Sequence, residues 1–114
     1  MATADFTIEL DLTRDLPKVR RSYGRLIKRM GECSYSSPCA VGAMMTPAQR
    51  KKLAQRHEDG TSIDALVDTG LVAIPPEQLD DLVELQDAFD RRDRDAFGAK
   101  LIECERKYLA KVSA

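Results

Sequence analysis

The run S-P-C-A-V-G-A-M-M-T-P-A-Q occupies residues 37–49 and carries no charged side chain, although 32% of the residues in this chain are charged. Exposing its apolar side chains to water would be unfavourable, so we expect the run to lie in the core. Its longest apolar part, residues 39–45, is far shorter than the roughly 20 residues that span a bilayer as a helix. The sequence therefore predicts a fold that packs around residues 37–49.

The length and the start of the sequence bound the class of protein. With 114 residues the chain is expected to form a single domain. Its first residues have neither the basic nor the apolar region of a secretory signal. We therefore predict a soluble, cytoplasmic protein with no membrane partner and no cofactor.

The cysteines predict free thiols in a reducing compartment, because Cys33, Cys39 and Cys104 cannot all pair within one chain. Together with His57, the single histidine, they have the ligand types of a zinc site. Their separations fit none of the compact ligand pairs of structural zinc sites. We therefore predict no metal site.

A strand is predicted at the start of the chain. Apolar and polar residues alternate strictly there, with apolar positions at Phe6, Ile8, Leu10 and Leu12. A lone strand needs a partner, and residues 71–74 are the other short β-like run, so residues 6–12 and 71–74 are expected to form a two-stranded ribbon. The alternative is a homodimer in which the N-terminal strand pairs with its copy in a second molecule.

A basic helix is predicted over residues 16–30, where apolar residues follow a spacing of three and four. Asp15 is the expected N-cap, Pro17 fits the first turn, and Gly31 is expected to end the helix. The outward face carries positive charges and no acid, at Lys18, Arg20, Arg21, Arg25, Lys28 and Arg29.

Short helices are predicted over residues 38–69. Ser37 caps and Pro38 opens one that runs through Met45, and the capping-box spacing of residues 46–49 begins a second that ends near Arg56. After a turn at residues 57–60, a third short helix is expected to end at Gly70.

Acidic helices are predicted over residues 76–112. The first follows Pro75-Pro76, and its apolar stripe is Leu79, Leu82, Val83 and Phe89. Its opposite face is acidic, with Glu77, Asp80, Asp81, Glu84 and Asp87, and is the expected mate of the basic helix. The last helix begins at Asp93 or Asp95 and buries Phe97, Leu101, Cys104 and Tyr108.

Together these patterns predict a mainly α protein, a compact bundle of about five or six short helices with an N-terminal β-strand. The single domain 1–114 divides into a strand or arm (1–13), the basic helix (16–30), short helices (38–69) and acidic C-terminal helices (76–112).

Charge is divided unequally along the chain. Residues 1–56 carry eleven Lys or Arg and five Asp or Glu, whereas residues 57–114 carry seven and fourteen, which gives +6 and −7. The division indicates either a polyanion-binding front half or two halves that attract each other within one fold. We favour the second interpretation, because charges along exposed helix faces are normally solvated and locally neutralised.

A cysteine-dependent hydrolase is the alternative enzymatic hypothesis. Cys39 in the first turn of a helix would have a lowered pKa and could act as the nucleophile, with His57 as its base. Free cysteines are more often small buried hydrophobic residues, and we favour that interpretation of Cys39.

The basic helix is the candidate partner-binding surface, through Lys18, Arg20, Arg21, Arg25, Lys28 and Arg29. One helix face with several cations can neutralise phosphates, so nucleic acid is an alternative partner. The chain has no Asn and no Trp, so side chains that read or stack bases are scarce.

Two short motifs carry a resemblance to a known group of proteins. Cys39-Ala40-Val41-Gly42 at the start of a helix and the later run L-Q-D-A-F-D at residues 85–90 resemble a group of small, uncharacterised bacterial and bacteriophage proteins. That group has C-A-V-G followed by L-Q-x-x-[F/H]-D. The resemblance covers residues 20–92 and implies a phage or mobile-element context, and Phe89 at the position of the alternative His favours packing of the two motifs in the core.

We therefore predict a non-enzymatic interaction or regulatory protein that binds another macromolecule, such as a host or defence protein, through charged helix faces.

Overall fold

The computed structural model describes residues 6–28, 30, 39–58 and 60–109. In chain order the elements are β1 (Ile8–Glu9), α1 (Leu12–Ile27), a 3-10 helix (Gly42–Met44), α2 (Pro47–Gln55), α3 (Ile63–Asp68), β2 (Val72–Ala73), α4 (Pro76–Asp90), α5 (Arg94–Cys104) and a π-helical turn (Glu105–Leu109). The chain is mainly helical and compact, as the sequence predicts. None of the helices in the described ranges is both long and apolar enough to cross a membrane.

The N-terminal strand pairs with the second β-like run, which confirms the ribbon. The two strands are parallel, with Ile8 beside Val72 and Glu9 beside Ala73. The pairing is shorter than predicted, and Leu12 does not belong to it, because Leu12 is the first residue of α1.

The start of α1 corrects the predicted cap. Asp11 is the N-cap, and its Oδ1 accepts the backbone N–H of Thr13 at 3.0 Å. Gln78 on α4 fixes this corner, because its Oε1 accepts the Leu12 N–H at 2.7 Å and its Nε2 donates to Asp11 Oδ1 at 3.1 Å. Asp15, the predicted cap, lies inside the helix with 0% exposure and accepts the Asp11 N–H at 3.0 Å.

Helix α1 ends at Ile27, three residues before the predicted end at residue 30. The predicted roles of Gly31, Ser37 and Pro38 lie outside the described residues. Within the described part, residues 42–44 form a single 3-10 turn, so the predicted helix through Met45 is a much shorter element.

Local signals place the remaining helices correctly. Helix α2 begins with the predicted capping box, in which the Gln49 N–H donates to Thr46 Oγ1 at 3.1 Å and the Thr46 N–H donates to Gln49 Oε1 at 2.9 Å. Gly70 follows α3 with a φ of +81°, a left-handed conformation that glycine adopts readily. Asp93 caps α5, and the predicted apolar residues are all buried, with Phe97, Leu101 and Cys104 on α5 and Tyr108 in the π-helical turn.

The predicted environment of Asp81 is also wrong. The sequence places Asp81 on the solvent face of α4, but the residue is only 8% exposed. Its carboxylate accepts hydrogen bonds from Lys100 Nζ at 2.8 Å, Lys107 Nζ at 2.9 Å and the Tyr108 hydroxyl. Burial alone would raise the pKa of Asp81, but these bonds outweigh it and hold the pKa below its usual value. The cluster joins α4 to α5 and the π-helical turn.

Removing this carboxylate should destabilise the fold. Asp81→Ala is expected to lower the free energy of unfolding by about 2 kcal/mol, because several charge-assisted hydrogen bonds are lost at a nearly buried position. Tyr108→Phe should cost about 1.5 kcal/mol. The control is Asp80→Ala, an exposed neighbouring carboxylate, which should change stability by less than about 0.5 kcal/mol. Urea unfolding at neutral pH measures all three, and equal effects of Asp81→Ala and Asp80→Ala would contradict the assignment.

Candidate functional site

The apolar segment at residues 39–45 is buried, which confirms its predicted place in the core. Cys39, Ala40, Val41, Met44 and Met45 are all nearly inaccessible to solvent. A buried segment without a long helix must find partners for its backbone N–H and C=O groups elsewhere.

Side chains from other elements supply those partners. The Val41 N–H donates to Gln86 Oε1 on α4 at 3.0 Å. Arg50 Nη1 on α2 donates to the carbonyls of Gly42 at 2.9 Å and Met45 at 2.7 Å. Lys18 Nζ on α1 donates to the Met44 carbonyl at 3.3 Å. The segment therefore fixes the relative positions of α1, α2 and α4.

The two sequence motifs meet at this segment. Gln86 belongs to the run L-Q-D-A-F-D and bonds to Val41 of C-A-V-G, while its Nε2 donates to Asp90 Oδ1 at 2.9 Å. Leu85 and Phe89 of the same run are fully buried. The predicted packing of the motifs in the core is confirmed.

Cys39 lies in an apolar environment. Cys39 is 1% exposed, and its Sγ accepts a hydrogen bond from the Gly42 N–H at 3.3 Å. Burial raises the pKa of the Cys39 thiol to about 11, although the backbone hydrogen bonds act in the opposite direction. The thiol is therefore protonated at neutral pH and is a poor nucleophile.

His57, the predicted base, is exposed in the turn after α2, with a φ of 59°. No hydrogen bond joins it to Cys39 among the bonds between described residues. Cys33 lies outside the described residues, and no group of three or more His, Cys, Asp or Glu within the described ranges could hold a metal ion.

The raised pKa of Cys39 predicts a pH dependence. In the unfolded chain the thiol ionises near its ordinary value of 9.0, whereas in the folded chain it ionises near 11. Between these values the unfolded state binds fewer protons, so the free energy of unfolding should fall as the pH rises from 9 to 11. Urea unfolding across this range should show a smaller fall for Cys39→Ala than for the wild type. Rapid alkylation of Cys39 in the native protein at neutral pH, or an equal slope in the variant, would contradict this burial.

The six predicted partner-binding residues do not share one environment. Lys18 is engaged with the Met44 carbonyl and with Asp15 at 3.3 Å. Arg20 pairs with Glu105 at 2.6 Å and lies over the Tyr23 ring. Arg29 lies outside the described residues.

The other three, Arg21, Arg25 and Lys28, form what we call the basic stripe. They are exposed and follow a spacing of four and three on α1, so they share one helix face about 10 Å long. That face lies opposite the buried residues Leu16 and Val19. None of the three has an ion pair or side-chain hydrogen bond in the part of the chain that the structure describes.

Gly24 borders the basic stripe within α1. It is exposed, and a Cβ at this position would meet no described atom within 4 Å. Glycine inside a helix is about 1 kcal/mol less favourable than alanine, and no contact in the described structure explains its presence. A glycine at an exposed helix face permits close approach of another backbone.

Helix α4 carries a matching surface, which we call the acidic stripe. Its exposed residues are Glu77, Asp80, Glu84 and Asp87, spaced by three, four and three. Glu84 pairs with Lys100 at 2.6 Å and Asp87 with Arg91 at 3.2 Å. Glu77 and Asp80 have no side-chain partner within the described ranges.

The predicted mating of the acidic and basic helices is not found. Among ion pairs whose two residues are both described, Arg20–Glu105 is the one that joins the positive and negative halves of the chain. The carboxylates of α4 instead pair with Lys100, Lys107 and Arg91. Both stripes therefore face solvent.

Comparison of the chain with protein-family models, with curated proteins and with solved structures gave no match. The functional interpretation therefore depends on the chain's own geometry.

Sequence reasoning identified the cations of the basic stripe but missed Gly24, although a glycine between arginines in a predicted helix was a visible signal. It also missed Arg50, because nothing local in the sequence distinguishes a cation that bonds to buried carbonyls from one in solvent.

Proposed function

We propose that this chain is a non-enzymatic interaction protein that binds an acidic surface of another protein through the basic stripe. The observation that carries the proposal is the set of three exposed cations without partners in the described structure, on a face bordered by a glycine that packs against nothing described. Charges without an internal role are available to a partner of opposite charge.

The cellular setting of the proposal is the cytoplasm of a bacterium, with the chain encoded by a phage or another mobile element. Two free, buried thiols, Cys39 and Cys104, are compatible with a reducing compartment. The motif resemblance favours a regulatory role toward a host or defence protein. The alternative hydrolase hypothesis has less support than the binding hypothesis, because Cys39 is buried and protonated whereas the basic stripe is exposed.

Nucleic acid is the second candidate partner, because the same three cations could contact successive phosphates. The described aromatic residues argue against strong single-strand binding. Phe6 and Tyr23 are half-buried, and Phe89, Phe97 and Tyr108 are buried, so none offers a free stacking face.

Charge reversal tests the basic stripe directly. The double variant Arg21→Glu/Arg25→Glu should lose a stoichiometric protein that the wild type captures from a bacterial lysate, because attraction becomes repulsion. The control is Lys51→Glu/Arg94→Glu, which changes two exposed residues on other helices and gives the same net charge. The control should capture the protein as the wild type does. Equal capture by both double variants would remove the basic stripe as the contact surface.

A nucleic-acid partner gives a different result in the same design. Capture would then disappear after nuclease treatment, and titration of a double-stranded DNA oligonucleotide would give a slope of about −2.7 in log affinity against log salt for three cations. Absence of binding at low salt would exclude this partner.

Gly24 provides an independent test. Gly24→Ala should raise the free energy of unfolding by about 0.5–1 kcal/mol, because the position is helical and open, and should weaken partner capture, because the methyl group occupies the close-approach surface. Gly98→Ala is the comparison, since its Cβ would lie 3.0 Å from the Tyr23 hydroxyl oxygen and should gain less stability. Thermal unfolding and capture measure the two effects. A Gly24→Ala variant that is more stable and binds unchanged would show that the glycine has no role in the contact.

A further inference from the structure

The two stripes have complementary charge and belong to the same chain, but they do not pair with each other within it. The basic stripe lies on α1 and the acidic stripe on α4, and each faces solvent. The formal net charge of −1 gives little overall repulsion between copies. A second copy of the chain is therefore a partner of matching chemistry.

The spacing of the stripes matches when the two helices run antiparallel. From Lys28 back to Arg21 the cations are separated by three and then four residues, and from Glu77 to Glu84 the carboxylates are separated by three and then four. The pairs in this register are Lys28 with Glu77, Arg25 with Asp80, and Arg21 with Glu84.

Helix dipoles favour the same register. Lys28 is the C-cap of α1, and Glu77 lies in the first turn of α4. Antiparallel docking places the negative end of one helix beside the positive end of the other. Gly24 lowers the surface between the cations, which suits helices packed at a separation of about 8–10 Å.

We infer that the basic stripe of one copy docks antiparallel on the acidic stripe of a second copy. The inference rests on the proposed function in that both use the basic stripe, so a protein partner and a second copy compete for the same cations. Glu84 keeps its contact with Lys100 in this arrangement and shares its carboxylate between Lys100 and Arg21.

Sedimentation velocity of the full chain across ionic strength is the first measurement. At about 0.01 M salt, where the Debye length is about 30 Å, the wild type should associate as concentration rises, and at about 1 M, where it is about 3 Å, it should be monomeric. A closed dimer and an open chain both support the docking, since either can form from a basic surface and an acidic surface. A chain that stays monomeric at low salt overturns the inference.

Charge exchange between the stripes is the decisive measurement. R25E/K28E alone and Glu77→Lys/Asp80→Lys alone should each lose self-association, because two of the three pairs in the register, Lys28 with Glu77 and Arg25 with Asp80, then carry like charge. The quadruple variant, which has the wild-type net charge and exchanges the charges of both pairs, should associate again, as should an equimolar mixture of the two double variants. The K51E/R94E control should associate as the wild type does.

Circular dichroism and thermal unfolding establish that each variant is folded, and all four exchanged side chains are exposed. A folded quadruple variant that remains monomeric overturns the docking. The two proposals fail separately. If the wild type is monomeric but R21E/R25E abolishes capture of the protein partner, the docking is overturned and the proposed function stands. If R21E/R25E abolishes self-association and leaves capture unchanged, the proposed function is overturned and the docking stands.

Discussion

The fold depends on how the buried segment at residues 39–45 satisfies its backbone hydrogen bonds. A single 3-10 turn leaves the Val41 N–H and the carbonyls near Met44 without regular partners, and each unpaired buried group would cost about 1–3 kcal/mol. Gln86, Arg50 and Lys18 supply the missing partners from three different helices. The same bonds that keep the segment in the core therefore set where α4, α2 and α1 lie around it.

The Lys and Arg side chains of residues 1–56 therefore differ in what they contact. Lys18 and Arg50 are held at the carbonyls of the buried segment, and Arg20 reaches across to Glu105. A lysine or arginine held in this way contributes to the fold and cannot move to meet another molecule without exposing the groups that it satisfies. Of the described cations from Lys18 to Lys28, the three outside these contacts form the basic stripe, so its position follows from the packing of the core.

The sequence predicts elements whose signals are local and fails where a distant residue decides. The capping box at Thr46 and the apolar spacing of α5 are correct because both depend on neighbours in the chain. The predicted start of α1 is wrong because Asp11 and Asp15 are both acceptable N-caps in the sequence. Gln78, 67 residues from Asp11, fixes the choice through its hydrogen bond to the Asp11 carboxylate. Asp81 fits a solvent face by periodicity, and only the packing of α5 and the π-helical turn against α4 surrounds it with Lys100 and Tyr108.

The candidate site has the same division between local and distant information. A helical period is sufficient to place Arg21, Arg25 and Lys28 on one face, but it cannot show that Arg20 is engaged elsewhere. Exposed ion pairs each contribute about 0–1 kcal/mol, so three such pairs hold two copies only weakly. A partner that adds buried apolar contact to the same charges would displace the second copy, because apolar burial contributes about 25 cal/mol per Å² and is not screened by salt. Weak self-association would therefore leave the basic stripe available to such a partner, with the balance set by protein concentration and ionic strength.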